Sequence, residues 1–181
     1  GVCYDEVTQN YLDMSEVYAA FTKAAGSANY RTFDFVGFDA CLMADYELAL
    51  HLAPFADYMI ASEETEPGEG WVYTDWLARI AKEPSVETAA LGRVIVDGFL
   101  TAVNDASYGE FGTLSVVDLR QMTALQSAVE RMGASLSQAM TDGDFNAISR
   151  IRQNLYAFGD NDDAGSDMVD LTVFANAYSA Y

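Results

Sequence analysis

The stretch from Thr32 to Asp39 constrains the fold of this chain more than any other part of it. Phe33, Phe35, Val36 and Phe38 leave that run almost no solvent face, and a short, nearly all-apolar run reads as a buried, centrally placed parallel strand. It passes straight into Ala40-Cys41-Leu42-Met43-Ala44 and then into a helical pattern over Asp45 to Leu52, stopped by Pro54. A cysteine is thereby delivered to the C-terminal end of a covered strand, which is where open α/β sheets keep their chemistry.

The remaining pattern repeats that alternation. Residues 1–13 read as irregular, and Ser15 reads as the N-cap of a helix over about 16–25, with Val17, Phe21 and Ala24 on one face and Gly26 as its stop. Asp57 to Ser62 is a second buried strand. The acidic, turn-rich loop Glu63 to Gly70 follows it and closes on Trp71 and Tyr73. If the two strands are parallel, that loop lies beside Cys41. A short helix over Asp75 to Ala81 and a longer one capped by Ser85 and running to about Val103 precede a third strand at Gly112 to Val117. Helices over about 118–140, 142–158 and 168–178 complete the chain. Helix and strand in this order imply an α/β sandwich with a mostly parallel sheet and a helix-rich C-terminal part, read as one domain over 1–181.

With 51 % hydrophobic residues the chain can fill a core, and disorder is excluded as its main state. Nine Lys and Arg stand against 28 Asp and Glu, a net charge of −19. So acidic a surface argues against nucleic acid and anionic lipid as partners and favours basic ones. No apolar run reaches membrane-spanning length, and no basic, then apolar, leader precedes the domain. Two cysteines, Cys3 and Cys41, make neither a disulfide framework nor a zinc site, although a single bridge between them is conceivable. Gly1 leads directly into Val2-Cys3-Tyr4-Asp5-Glu6 without an initiator Met, so the chain is expected to be a processed or truncated piece.

Cys41 on its own admits two readings. A thiol just before a helix start gains thiolate character from backbone N–H groups and the helix dipole, and the same N–H groups can hold an oxyanion. A cysteine is equally a small core residue. A nucleophilic cysteine ordinarily works with a histidine, and the sole histidine, His51, lies ten residues on at the far end of the helix, about 12 Å away at 1.5 Å per residue. His51 is therefore read as a surface or half-buried histidine, and the base must come from elsewhere if there is one.

Gly37-Phe38-Asp39-Ala40-Cys41-Leu42-Met43-Ala44, Glu47, Ala56-Asp57-Tyr58, Ala61-Ser62-Glu63-Glu64 and Glu66-Pro67-Gly68-x-Gly70-Trp71-x-Tyr73 together resemble the clostripain-type cysteine peptidases, of the same clan as caspases, gingipains and legumain. The match is close over roughly 1–77 and looser through Thr113 to Leu119 and Met168 to Leu171. The resemblance implies a caspase-like αβα fold and peptide hydrolysis after Arg or Lys. It puts Cys41 at the nucleophile's position and Asp39 at the position that reads a basic P1 side chain, with Glu69 as a second pocket carboxylate. Read without it, Asp39 is as well a strand-end carboxylate capping the next helix. Glu63, Glu64 and Glu66 are read as a solvated acidic loop, and Trp71, Tyr73 and Trp76 as packing beneath it.

The resemblance further implies a histidine on an upstream His-Gly-Gly-type turn, autolytic cutting into two associated chains, and an extracellular, periplasmic or envelope location. No metal ligands are assigned. Calcium is the one cofactor left open, because some relatives depend on it. The loop Asp160 to Asp167 fails as an EF-hand, with Ala164 and Leu171 at the fifth and twelfth places. The expected function is a cysteine endopeptidase acting on basic peptides or proteins through Cys41. The alternative is a non-catalytic, peptidase-like module that binds them.

Overall fold

The computed structural model describes residues 2–26, 32–105, 112–159 and 167–181. The chain divides into two compact units, residues 1–122 and 123–181.

The first unit opens on a short antiparallel hairpin, β1 (Tyr4–Asp5) and β2 (Asn10–Tyr11), where an irregular segment was expected. Then come α1 (Met14–Ala25), β3 (Phe33–Gly37), α2 (Tyr46–Leu52), β4 (Ala56–Ala61), α3 (Tyr73–Lys82), α4 (Thr88–Asp105) and β5 (Ser115–Asp118). Helix α1 is capped by Asp13, not Ser15. Asp13 accepts the Glu16 N–H while the Glu16 carboxylate accepts the Asp13 N–H, a reciprocal box that satisfies two orphan donors where a serine would satisfy one.

The sheet has the order β3-β4-β5. Strand β4 is its centre, and β3 forms an edge of the described sheet, with Phe33 43 % exposed. The apolar run of β3 thus misled the expectation of a central strand; β4, with fewer aromatics, is the better buried of the two. β3 and β4 are parallel, paired Phe33 to Ala56 and Gly37 to Ile60. β5 runs antiparallel to β4, paired Met59 to Val117 and Ala61 to Ser115. Two helices, α3 and α4, join β4 to β5, and a paired excursion returns the chain to the end of the sheet it left.

Alternation along the strands splits the core in two. Phe38, Met59, Ala61 and Val117 face Leu48 and Leu52 of α2, with Phe21 of α1 packed alongside. Phe35, Ile60 and Val116 face Leu91, Ile95 and Phe99 of α4 and Trp76 and Ile80 of α3. The expected α/β sandwich is what these two layers make. Each side chain as completely enclosed as Ile60 or Phe99 contributes about 1.5–3 kcal/mol by leaving water.

A 3₁₀ turn at Leu119–Gln121 leads from β5 into α5 (Met122–Thr141). The second unit holds most of α5, then α6 (Phe145–Gln153) and α7 (Leu171–Ser179), the last capped by Asp170 through the Val173 N–H. Phe158 and Met168 form an antiparallel bridge where the helical pattern was expected to continue. Arg152 pairs with Asp167. The calcium-like loop falls at 160–166, outside the described residues.

Phe99→Ala is expected to lower unfolding free energy by about 3–5 kcal/mol. Urea denaturation followed by far-ultraviolet circular dichroism reads this, and a loss under 1 kcal/mol would show that α4 is not packed as described.

Candidate active site

Strand β3 ends at Gly37, and the chain then reverses sharply. Leu42 lies in the left-handed region, with φ of 62°, a conformation that costs a non-glycine residue about 1–3 kcal/mol and has to be held by its surroundings. Here the hold comes from the segment after β4. The Leu42 N–H donates to the Glu64 carbonyl at 3.2 Å, and the Ala44 N–H to the Ser62 carbonyl at 2.8 Å. The acidic loop therefore runs beside the cysteine turn, as the parallel pairing of β3 with β4 requires.

Cys41 is an exposed free thiol at the crest of that turn, and Cys3 is likewise free and exposed, so no bridge joins them. The Glu66 N–H donates to Cys41 Sγ at 3.2 Å, and the thiol faces the Glu66 carbonyl at 3.7 Å. No partner for the Cys41 N–H occurs among the described residues. The helix-start argument for this thiol needs correction. The N-terminus of α2 is filled by Asp45, whose carboxylate accepts the Leu48 N–H at 2.7 Å, and the donor that reaches the sulfur comes from the acidic loop instead. His51 closes the other end of α2, where its Nδ1–H donates to the Glu47 carbonyl and its ring meets Tyr18 edge-on. It is no part of the site, as its spacing indicated.

Asp39 leaves the end of β3 exposed to solvent, yet its Oδ2 accepts two donors from the next loop: the Trp71 N–H at 3.1 Å and the Tyr73 hydroxyl at 2.9 Å. It neither caps α2 nor stands free; it ties down the approach to α3. Gly70 makes this possible. With φ of +67°, its Cα lies so near that an added Cβ would be 2.5 Å from Asp39 Oδ2. Trp71 is buried below, its ring against Gly37, and its indole N–H donates to Glu66 Oε2 at 3.1 Å.

The acidic loop is not the solvated run that its composition suggested. Glu64 is 3 % exposed, with its Oε1 accepting the Thr65 N–H. Glu66 is half-buried, and its Oε1 is enclosed with no donor in reach. Burial first, then hydrogen bonding to Asp39 and the Asp39 charge, push the Glu66 carboxyl up to about 8, against the indole N–H that pulls it down. Glu66 is thus mainly the neutral acid at pH 7, and it can donate to Asp39. Glu69 is exposed on the same loop, next to Gly70. Thr113, just before β5, was missed as a site residue. Its Oγ1 accepts the N–H groups of Glu63 and Glu64, both at 3.0 Å, and lies 3.0 Å from Ser62 Oγ. Its only signal in the sequence is a place in the looser part of the family pattern. No group of three His, Cys, Asp or Glu among the described residues is arranged to hold a metal ion.

Gly70→Ala should cost about 1–3 kcal/mol, because it adds a clash with Asp39 to a left-handed backbone. Thermal unfolding and Trp71 emission measure it; unchanged values of both would show that the loop is not tied to Asp39 as described.

The clostripain family model matches residues 1–181. No curated protein matches the chain. Among solved structures, a Bacteroides fragilis cysteine protease is 22 % identical with a TM-score of 0.53, over 68 % of this chain and 50 % of its own. A clostripain from Bacteroides thetaiotaomicron, in complex with the peptide inhibitor BTN-VLTK-AOMK, is 18 % identical with a TM-score of 0.53, over 98 % and 74 %. A secreted C11 cysteine protease from the same organism, in complex with an irreversible peptide inhibitor, is 18 % identical with a TM-score of 0.59, over 95 % and 46 %. The chain spans half the length of the first of these and less than half of the third.

Proposed function

Because this chain belongs to the clostripain family of cysteine peptidases, we propose that it carries the nucleophile of an endopeptidase that cuts after arginine or lysine. The observation that carries the reading is Cys41 Sγ, exposed at the crest of the turn after β3, 3.2 Å from the Glu66 N–H and two residues beyond an exposed carboxylate.

Cys41 as thiolate attacks the scissile carbonyl. The Glu66 N–H stabilises the sulfur's charge, as backbone donors do for activated cysteines. The Cys41 N–H, which has no partner among the described residues, holds the oxyanion as the carbonyl becomes tetrahedral. A histidine from an upstream segment of the same precursor protonates the leaving amine, and water then cleaves the thioester. Among the described residues one edge of β3 has no partner strand, which leaves a template on which such a segment can pair. Autolytic processing and secretion belong to this reading, supported by the description of one relative as secreted. No helix among the described residues is long and apolar enough to cross a membrane.

Asp39 receives the substrate's guanidinium or ammonium, with Glu69 as the second carboxylate of the pocket and residues 1–181 acting as one peptidase piece. The peptide VLTK of the inhibitor seen on one relative ends in lysine, in keeping with a cationic side chain beside the thiol. A charge-assisted pair of this type is stronger than a neutral hydrogen bond and rejects uncharged side chains. The net charge of −19 steers basic peptides toward it.

Cys41→Ala, supplied with the histidine-bearing segment, should show no turnover of an Arg-containing reporter peptide; turnover equal to the parent protein's would refute the assignment. Asp39→Ala should lose at least tenfold more kcat/KM on an Arg reporter than on its neutral citrulline counterpart. An equal loss on both would remove Asp39 as the selector.

A further inference from the structure

The contact between Asp39 and Glu66 poses a question of where one proton rests. Two carboxyl groups that share a hydrogen bond need a hydrogen between them, and their like charges disfavour ionising both. Asp39 is exposed and accepts a backbone N–H and a phenolic O–H on Oδ2. Among the described residues Glu66 has an enclosed Oε1 without a donor and receives the indole N–H on Oε2. The hydrogen of the pair is therefore assigned to the Glu66 carboxyl, whose interaction with Asp39 favours its neutral form. The same residue's backbone N–H donates to Cys41 Sγ. One residue thus touches both the carboxylate that would read the substrate and the sulfur that would attack it.

We propose that Glu66 is a positioning and specificity-setting residue: it anchors the acidic loop as a neutral acid while Asp39 is empty, and it surrenders its proton to solvent when a cationic side chain docks on Asp39. The inference rests on Asp39 being the substrate-reading carboxylate. Charge balances simply. The empty pair, one carboxyl and one carboxylate, carries −1. A docked guanidinium brings it to zero. Breaking the Glu66 O–H bond sends the proton to water and leaves two carboxylates around one cation, again −1. Nothing covalent forms with the substrate. A neutral side chain supplies no charge to offset the second carboxylate, so the proton stays and the loop keeps its resting form. Cationic and neutral substrates are then separated by attraction and by proton release together, and the separation widens as pH rises.

The ionisable groups about Glu66 are Asp39 from the end of β3, Cys41 from the turn, Tyr73 from the start of α3, and Glu64 and Glu69 from its own loop. All are acids, and no cation among the described residues acts on it. A cation has to come from outside to favour its ionisation.

The test uses the full chain in a Cys41→Ser background, so that the thiol does not titrate. Butylguanidinium and its neutral isostere butylurea are titrated at pH 7 and pH 9.5. The Trp71 indole N–H resonance is the readout, because that group donates to Glu66. The free protein should show an indole shift with a midpoint near pH 8, displaced below pH 7 by saturating butylguanidinium. Butylguanidinium should bind about tenfold more tightly at pH 9.5 than at pH 7, and butylurea equally weakly at both. Glu66→Gln, whose amide can replace the donated hydrogen, should bind butylguanidinium with no pH dependence and show no indole titration. Equal affinity of the parent protein at the two pH values, or the same rise persisting in Glu66→Gln, overturns the role of Glu66. Full binding by Asp39→Asn instead removes Asp39 as the cation's partner, and with it the proposed specificity itself.

Discussion

The loop that approaches Cys41 is tied to the end of β3 through one oxygen, Asp39 Oδ2. It accepts a main-chain N–H and a phenolic O–H from a segment more than thirty residues later in the chain. That acceptor anchors the run from Pro67 to Tyr73 to the end of β3. Trp71 also packs against Gly37, but apolar contact is non-directional and does not fix a loop to a fraction of an ångström. The directional bond does so, and it also brings the Glu66 main chain to the sulfur.

Anchoring and recognition make opposite demands on a carboxylate. An acceptor saturated by its own protein has little left for a ligand, whereas a bare one in an acidic surface invites any cation. In the role proposed for it, Asp39 would meet both demands by dividing its oxygens. Oδ2 is taken up internally, and the side chain as a whole remains open to solvent. Surface ion pairs alone are worth little, so selectivity at such a site depends on how its neighbours hold and share charge, and Glu66 is the neighbour with the least water around its outer oxygen.

Much of this was legible in the residues. The strand-to-cysteine passage, the parallel pairing and the arrival of the acidic loop at Cys41 follow from apolar runs and the logic of α/β connections, and the family pattern supplied the rest of the frame. Three features were not legible. The placing of β3 at an edge was hidden because Phe33, Phe35 and Phe38 look buried by type, while exposure is decided by which strands stand alongside. The burial of Glu64 and Glu66 was hidden because a cluster of acids reads as solvated; here Trp71 covers one and the Ser62–Thr113 network encloses the main chain of the other. The upward shift of the Glu66 carboxyl comes first from burial and then from its proximity to Asp39, and sequence separation reveals neither.

Thr113 holds the main chain of Glu63 and Glu64 across separations of 50 and 49 residues, and those two residues in turn brace the left-handed turn at Leu42. The bracing of the Leu42 turn therefore cannot be complete until β5 has found β4, after the whole intervening pair of helices has been made. Contacts so distant along the chain are late arrivals in folding, since the loop they close must be ordered before the bonds repay it. Cys41 and the Glu66 main chain therefore reach their final spacing only as that distant contact closes.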